Sequence, residues 1–153
     1  MRNEIQIVIT VLSLDDRHDP DILGLLGASL ALSLSDIPWQ GPVAGVRVAQ
    51  KDGAFIINPT TEERLTSASD IIVCGMRDRI NMLEAGAQEI TEEDFAAAAE
   101  RGLGAIKELI AFQEMIIAEH AKPKKTVRLL ATPPELDKLL RDEFADQIEQ
   151  GIY

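Results

Sequence analysis

The sequence predicts an α+β fold: a mixed β-sheet packed with helices, followed by a helical segment. Three observations carry that expectation. Short runs rich in β-branched residues lie between turn signals, as strands do. Longer apolar patterns recur every three to four residues, as helices do. Lys122-Pro123-Lys124-Lys125 then breaks the longest helical pattern and sets a last one apart.

Ile5-Gln6-Ile7-Val8-Ile9-Thr10-Val11-Leu12 is apolar on both faces near its centre, the pattern of a strand covered on both sides. Such a strand needs neighbours, so further strands are expected before it in a longer chain. Asp15-Asp16-Arg17-His18-Asp19-Pro20 reads as a loop, with Asp19 as helix cap and Pro20 in the first helical position. The helix runs to about Leu34. Its Leu, Ile and Ala residues lie nearly all round, which predicts burial, and Gly24, Gly27, Ala28 and Ser29 permit close packing.

Ser35–Pro42 is a turn-rich connector. Val43–Ala49 and Ala54–Ile57 are two strands joined through Asp52-Gly53, a hairpin signal. Asn58-Pro59-Thr60-Thr61 ends the second strand, and a polar segment follows to Ser69. Asp70–Met76 and Arg79–Ala85 form another hairpin. Thr91-Glu92-Glu93-Asp94 resembles a capping box, and it opens a helix to about Ala121. Phe95, Ala98, Ala105, Leu109, Phe112 and Ile116 line one stripe of that helix, with Leu103, Ile106, Ile110 and Ile117 beside it. Thr132-Pro133-Pro134-Glu135 is a second box. Leu136, Leu139, Leu140, Phe144 and Ile148 make the final helix amphipathic, and it cannot bury that stripe alone.

Composition narrows the function. The chain has 153 residues, room for one domain with a core, or a small domain plus an appendage. Apolar residues at 46% and charged residues at 27% argue against disorder, and aromatics at 4% leave the core to aliphatic side chains. The net charge of −11 repels nucleic acid unless bases gather locally. Residues 1–90 carry net −6, residues 91–121 net −5, and residues 122–153 balance, so no segment reads as an isolated nucleic-acid binder. The single cysteine, Cys74, excludes a disulfide framework and fits a reducing compartment. Arg2 before an apolar run imitates a secretory leader, but Glu4 and Gln6 interrupt the run and no cleavage site follows. Ile22–Leu34 is too short to cross a bilayer. A cytoplasmic location is expected.

Three stretches carry a resemblance. They are Ile5–Ser13; Asp19–Ile22 through Gly27-Ala28-Ser29-Leu30-Ala31-Leu32-Ser33 into Ser35-Asp36-Ile37-Pro38-Trp39-Gln40-Gly41-Pro42 and on to Val48; and Glu84-Ala85-Gly86-Ala87-Gln88-Glu89-Ile90. They resemble the polynucleotide phosphorylase family, in the second half of its first RNase PH-type core domain. The resemblance implies an RNase PH-like fold of the ribosomal-protein-S5-domain-2 type. It puts a partial first core at 1–121 and the start of an all-helical linker domain at 122–153. It further implies a parent enzyme that degrades RNA from the 3′ end by attack of inorganic phosphate, releasing nucleoside diphosphates. That parent is a homotrimer around an RNA channel, with a divalent metal, magnesium, in its active core.

In the family's active second core, two acids and a lysine surround one strand. The matching strand here is Asp70–Gly75, aligned by Val-Cys-Gly. The acid positions then fall at Arg64 and Asp70, and the lysine at Ile72, so Asp70 is at most a vestige of catalysis. The family's aromatic–arginine RNA loop falls outside this sequence, and its phosphate-binding serines belong to the second core. The expectation is a chain that binds no metal itself and whose partners are the missing parts of its own polypeptide. Lys122, Lys124 and Lys125 are the candidates for touching RNA phosphates, against a plainer reading as a solvated linker. Asp15, Asp16, Asp19 and Asp21 read as a capped helix start, since their spacing fits no hard-cation loop. His18 and His120 read as solvated, and Cys74 as a buried small hydrophobe. The alternative to an enzyme fragment is a stand-alone protein-interaction module with the same fold and no activity.

Overall fold

The computed structural model describes residues 4–127 and 131–152. One compact unit spans Ile7–Lys125, and the described residues outside that range belong to a second.

The first unit is built on four strands: β1 (Ala44–Lys51), β2 (Ala54–Ile57), β3 (Ser69–Gly75) and β4 (Ile80–Ala87), in the order β2-β1-β3-β4. All three pairings are antiparallel. The β1–β2 loop closes in two residues, Asp52 (φ 51°) and Gly53 (φ 77°), both in the left-handed region that a type I′ turn requires. Between β2 and β3 the chain forms a short helix, α2 (Thr61–Leu65), where only a polar segment was expected. Its capping box is complete: the Thr60 hydroxyl accepts from the Glu63 amide, and the Glu63 carboxylate accepts from the Thr60 amide.

Helices cover the two faces of the central strand pair. α1 (Asp21–Leu34) packs on β1, where a Cβ at Gly45 would stand 2.6 Å from Leu25 and 2.8 Å from the Cys74 sulfur. α3 (Glu92–His120) packs on the other face, where a Cβ at Gly102 would stand 2.7 Å from Val73. The core is the layer between α3 and the sheet: Ala44, Val46, Val48, Ile71, Val73, Ala98, Ile106 and Ile110. Each of its large members contributes roughly 1.5–3 kcal/mol by leaving water.

Three expectations change. Ile5–Leu12 forms no strand. It runs without ladder partners and is largely exposed, because the sheet available to it among the described residues ends at β2 and β4. Residues 7–12 instead line a groove of about 370 Å³ with Gly24, Gly27 and Ala31 of α1, and a Cβ at Gly24 would stand 3.3 Å from Ile9. α1 is accordingly not buried all round: only Ser29, Leu32 and Ser33 are, and Leu23 is 72% exposed. On α3 the buried seam runs through Ala98, Gly102, Ile106, Ile110 and Gln113, while Phe112 turns outward. Gln113 holds its place by donating from Nε2 to the Val43 carbonyl at 2.9 Å.

The second unit contains α4 (Pro134–Ile152), which follows the predicted amphipathic pattern. Its stripe of Leu136, Leu139, Leu140, Phe144 and Ile148 is 41–52% exposed.

Candidate functional site

Register places the chemistry on the α1 face of the sheet. Arg47 lies directly across from Ile72, and Asp70 is two pairs further along, opposite Ala49 and so on the same face. A charge in the middle of the apolar run Val46-Arg47-Val48 must be paired to be tolerated there. Arg47 has only 13% of its side chain exposed, and three carboxylates surround it. Its Nη1 donates to both oxygens of Asp70, at 2.9 and 2.8 Å. Its Nη2 donates to Asp21 Oδ2 at 2.5 Å and lies 3.8 Å from Asp19 Oδ2. Burial works against the Arg47 charge, yet the bonds to Asp70 and Asp21 prevail and push its pKa up.

Arg64 enters the same cluster from α2. Its Nη1 donates to Asp19, and its buried Nε lies 3.1 Å from Asp70 Oδ2, off the line of a hydrogen bond. The backbone fixes this meeting point. Thr61 donates from its amide to the Arg17 carbonyl at 2.8 Å, tying α2 to the loop before α1. Asn58, at φ 50°, accepts from the Arg47 amide through Oδ1 and donates from its own amide to the Arg47 carbonyl. The cluster floors a cleft of about 210 Å³ that His18, Ile22 and Pro59 also line.

Two guanidinium groups thus bind three carboxylates. Such a set can pin four segments together, but it does not fit a divalent metal: both oxygens of Asp70, both of Asp21 and one of Asp19 already accept N–H donors. Among the described residues, no group of three or more His, Cys, Asp or Glu side chains is placed to hold a metal ion.

Arg64 and Asp70 are therefore together, while Ile72 lies beside Arg47 on the same face and offers no cation. Asp19 does not cap α1. Pro20 holds that position without a side-chain bond, and Asp19 is drawn away to Arg64. Asp15 accepts from the amides of His18 and Arg17, and these bonds hold its carboxyl below the usual range. His18 and His120 are exposed, with 52% and 59% of their side chains open. Cys74 is buried beside Gly45, and burial pushes its thiol up. Lys124 and Lys125 are bonded to the end of α1 rather than free in solvent. The sequence reading missed Arg47; a lone charge at the centre of a buried strand was the available signal.

Comparison with known proteins agrees with this architecture. Residues 41–105 match the family described as 3′ exoribonuclease family, domain 2. The crystal structure of rice (Oryza sativa) Rrp46 shares the fold, with a TM-score of 0.60 at 17% identity over 69% of this chain and 51% of that one. The polyribonucleotide nucleotidyltransferase of Heliobacterium modesticaldum is 44% identical over 151 residues, covering 99% of this chain and 21% of the relative. That of Streptococcus agalactiae is 50% identical over 135 residues, 88% of this chain and 19% of the relative. The chain spans about a fifth of the length of the relatives it matches. It belongs, over nearly all of its own length, to the polyribonucleotide nucleotidyltransferase family.

Proposed function

We propose that this chain is the structural, non-catalytic part of a phosphate-dependent 3′-to-5′ exoribonuclease that cleaves RNA to nucleoside diphosphates. Residues 1–121 would supply the back half of the enzyme's first core domain, and 122–153 the start of its helical linker. The division of the structure after Lys125 supports that boundary. RNA, inorganic phosphate and magnesium are then handled by the whole enzyme, a cytoplasmic homotrimer to which this part contributes scaffold.

One observation carries the proposal: Asp70, the sole acid at the aligned position, has both oxygens bonded to Arg47. Phosphoryl transfer needs carboxylates free to hold a metal and a cation free to steady the transferring group. Here the carboxylate is spent on a guanidinium, and the third position is Ile72. The exposed run Ile5–Leu14 supports a surface that the rest of the longer polypeptide covers.

The test is a phosphorolysis assay on the purified 153-residue chain with single-stranded RNA, inorganic phosphate and magnesium. No nucleoside diphosphate release above an Asp70→Ala control is expected. Release that depends on Asp70 would overturn the non-catalytic assignment. The uncovered stripe of α4 favours a second reading, a stand-alone interaction module. The reading frame decides between them: coding sequence continuous on both sides of residues 1–153 fits the enzyme, and a frame closed at both ends fits the module.

A further inference from the structure

The last turn of α1 has no basic residue of its own. A helix end of this kind presents unpaired carbonyls and partial negative charge. Here the missing cation arrives from 89 to 92 residues further along the chain. Lys124 donates from Nζ to the carbonyls of Leu32, Ser33 and Ser35, at 2.9, 2.8 and 2.8 Å. An ammonium has three N–H donors, so all of them are engaged. The backbone on either side is bonded too. The Lys122 amide donates to the Leu34 carbonyl at 3.1 Å, and the Lys125 amide to the Asp36 carbonyl at 2.8 Å. Lys125 Nζ also reaches Asp36 Oδ2 at 2.8 Å, and that bond holds the Asp36 carboxyl below its usual range.

The segment Ala121–Lys125 therefore lies as a strap across the end of α1, in the place where the sequence suggested a helix break and a solvated linker. Immediately beyond it the chain passes into the second unit.

We propose that this strap is a latch with Lys124 as its bolt. With Lys124 seated, the chain is fastened to the sheet unit as far as Lys125, and the tether to α4 starts at Thr126. With the ammonium withdrawn or its charge removed, the tether starts after His120. Five more residues then lengthen its reach by up to about 17 Å. The hold of α1 on the sheet does not run through the strap: Leu25 lies against Gly45, Asp21 accepts from Arg47, and the Ser29 hydroxyl accepts from the Val43 amide. Opening is therefore local.

Hydrogen exchange on the full 153-residue chain tests this, reading the Lys122 and Lys125 amides against those of β1 and β3. Lys124→Met should speed exchange at both strap amides by about tenfold or more while the sheet amides keep their wild-type rates. Lys124→Arg, which keeps the charge and several donors, should stay near wild type. Unchanged strap amides in the Met variant would overturn the latch. So would sheet amides that rise in step with the strap, or an Arg variant as fast as Met.

Discussion

Ile71 and Ile9 sit in runs of similar composition and meet opposite fates. Ile71, in β3, is wholly buried, with β1 and β4 bonded on either side and α3 packed above it. Ile9 is 56% exposed and lies beside Gly24 of α1. A β-branched apolar run states what a segment can do once it is paired. Pairing on both edges and a helix on the face decide whether it happens. α4 repeats the lesson in helical form, with a well-made stripe that stays 41–52% exposed.

The difference should be largest where burial is complete. Ile71→Ala should cost about 2–5 kcal/mol, read as a lowered denaturant midpoint, because it opens a cavity in the α3 layer. Arg47→Met comes next. It keeps the packing stem but leaves Asp21 and Asp70 without their donor, and about 2 kcal/mol should be lost by the same measurement. Asp70→Asn in that background should then cost little further, since the two residues share one interaction. Thr60→Ala removes half of the α2 capping box and should cost about 1 kcal/mol. Smaller again is the response to acid. Glu63 is held low by the Thr60 amide and hydroxyl, and Asp36 by Lys125. Carboxyls with lowered folded-state pKa values stabilise above their unfolded values, near pH 4, and lose that contribution as pH falls through the lowered ones. A thermal melt should therefore soften only below about pH 4. At the bottom of the scale, Ile9→Ser and Leu140→Ser should each move unfolding of the sheet unit by less than about 0.5 kcal/mol. A loss comparable to that of Ile71→Ala at either position would break the comparison.

The two hairpins, α1 and α3 were legible in the sequence because their signals are local: Asp-Gly between strand runs, Pro20 ahead of a helix, Thr91 as a cap. What was not legible depends on distant partners. Ile5–Leu12 reads as a strand because composition cannot say whether a ladder partner exists. Asp19 reads as a cap because Arg64, which takes its carboxylate, is 45 residues away. The α2 helix was the avoidable miss, since Thr60 and Glu63 stand three apart as a capping box requires. Of the site, alignment picked out Arg64, Asp70 and Ile72, whereas Arg47 and Asp21 were found only through the register of β1 against β3 and the approach of α1. Lys124 reads as a linker residue until the end of α1 is placed beside it.

Gly102 and Val73 have a consequence for how such a sequence can change. The ideal Cβ at 102 stands 2.7 Å from one branch of a valine that is itself wholly buried and stiff about χ1. Neither position can gain an atom while the other keeps its size. The spacing between α3 and the sheet is a volume the two residues share, so a lineage that enlarges residue 102 has to trim residue 73 in compensation, and the two should drift as a pair.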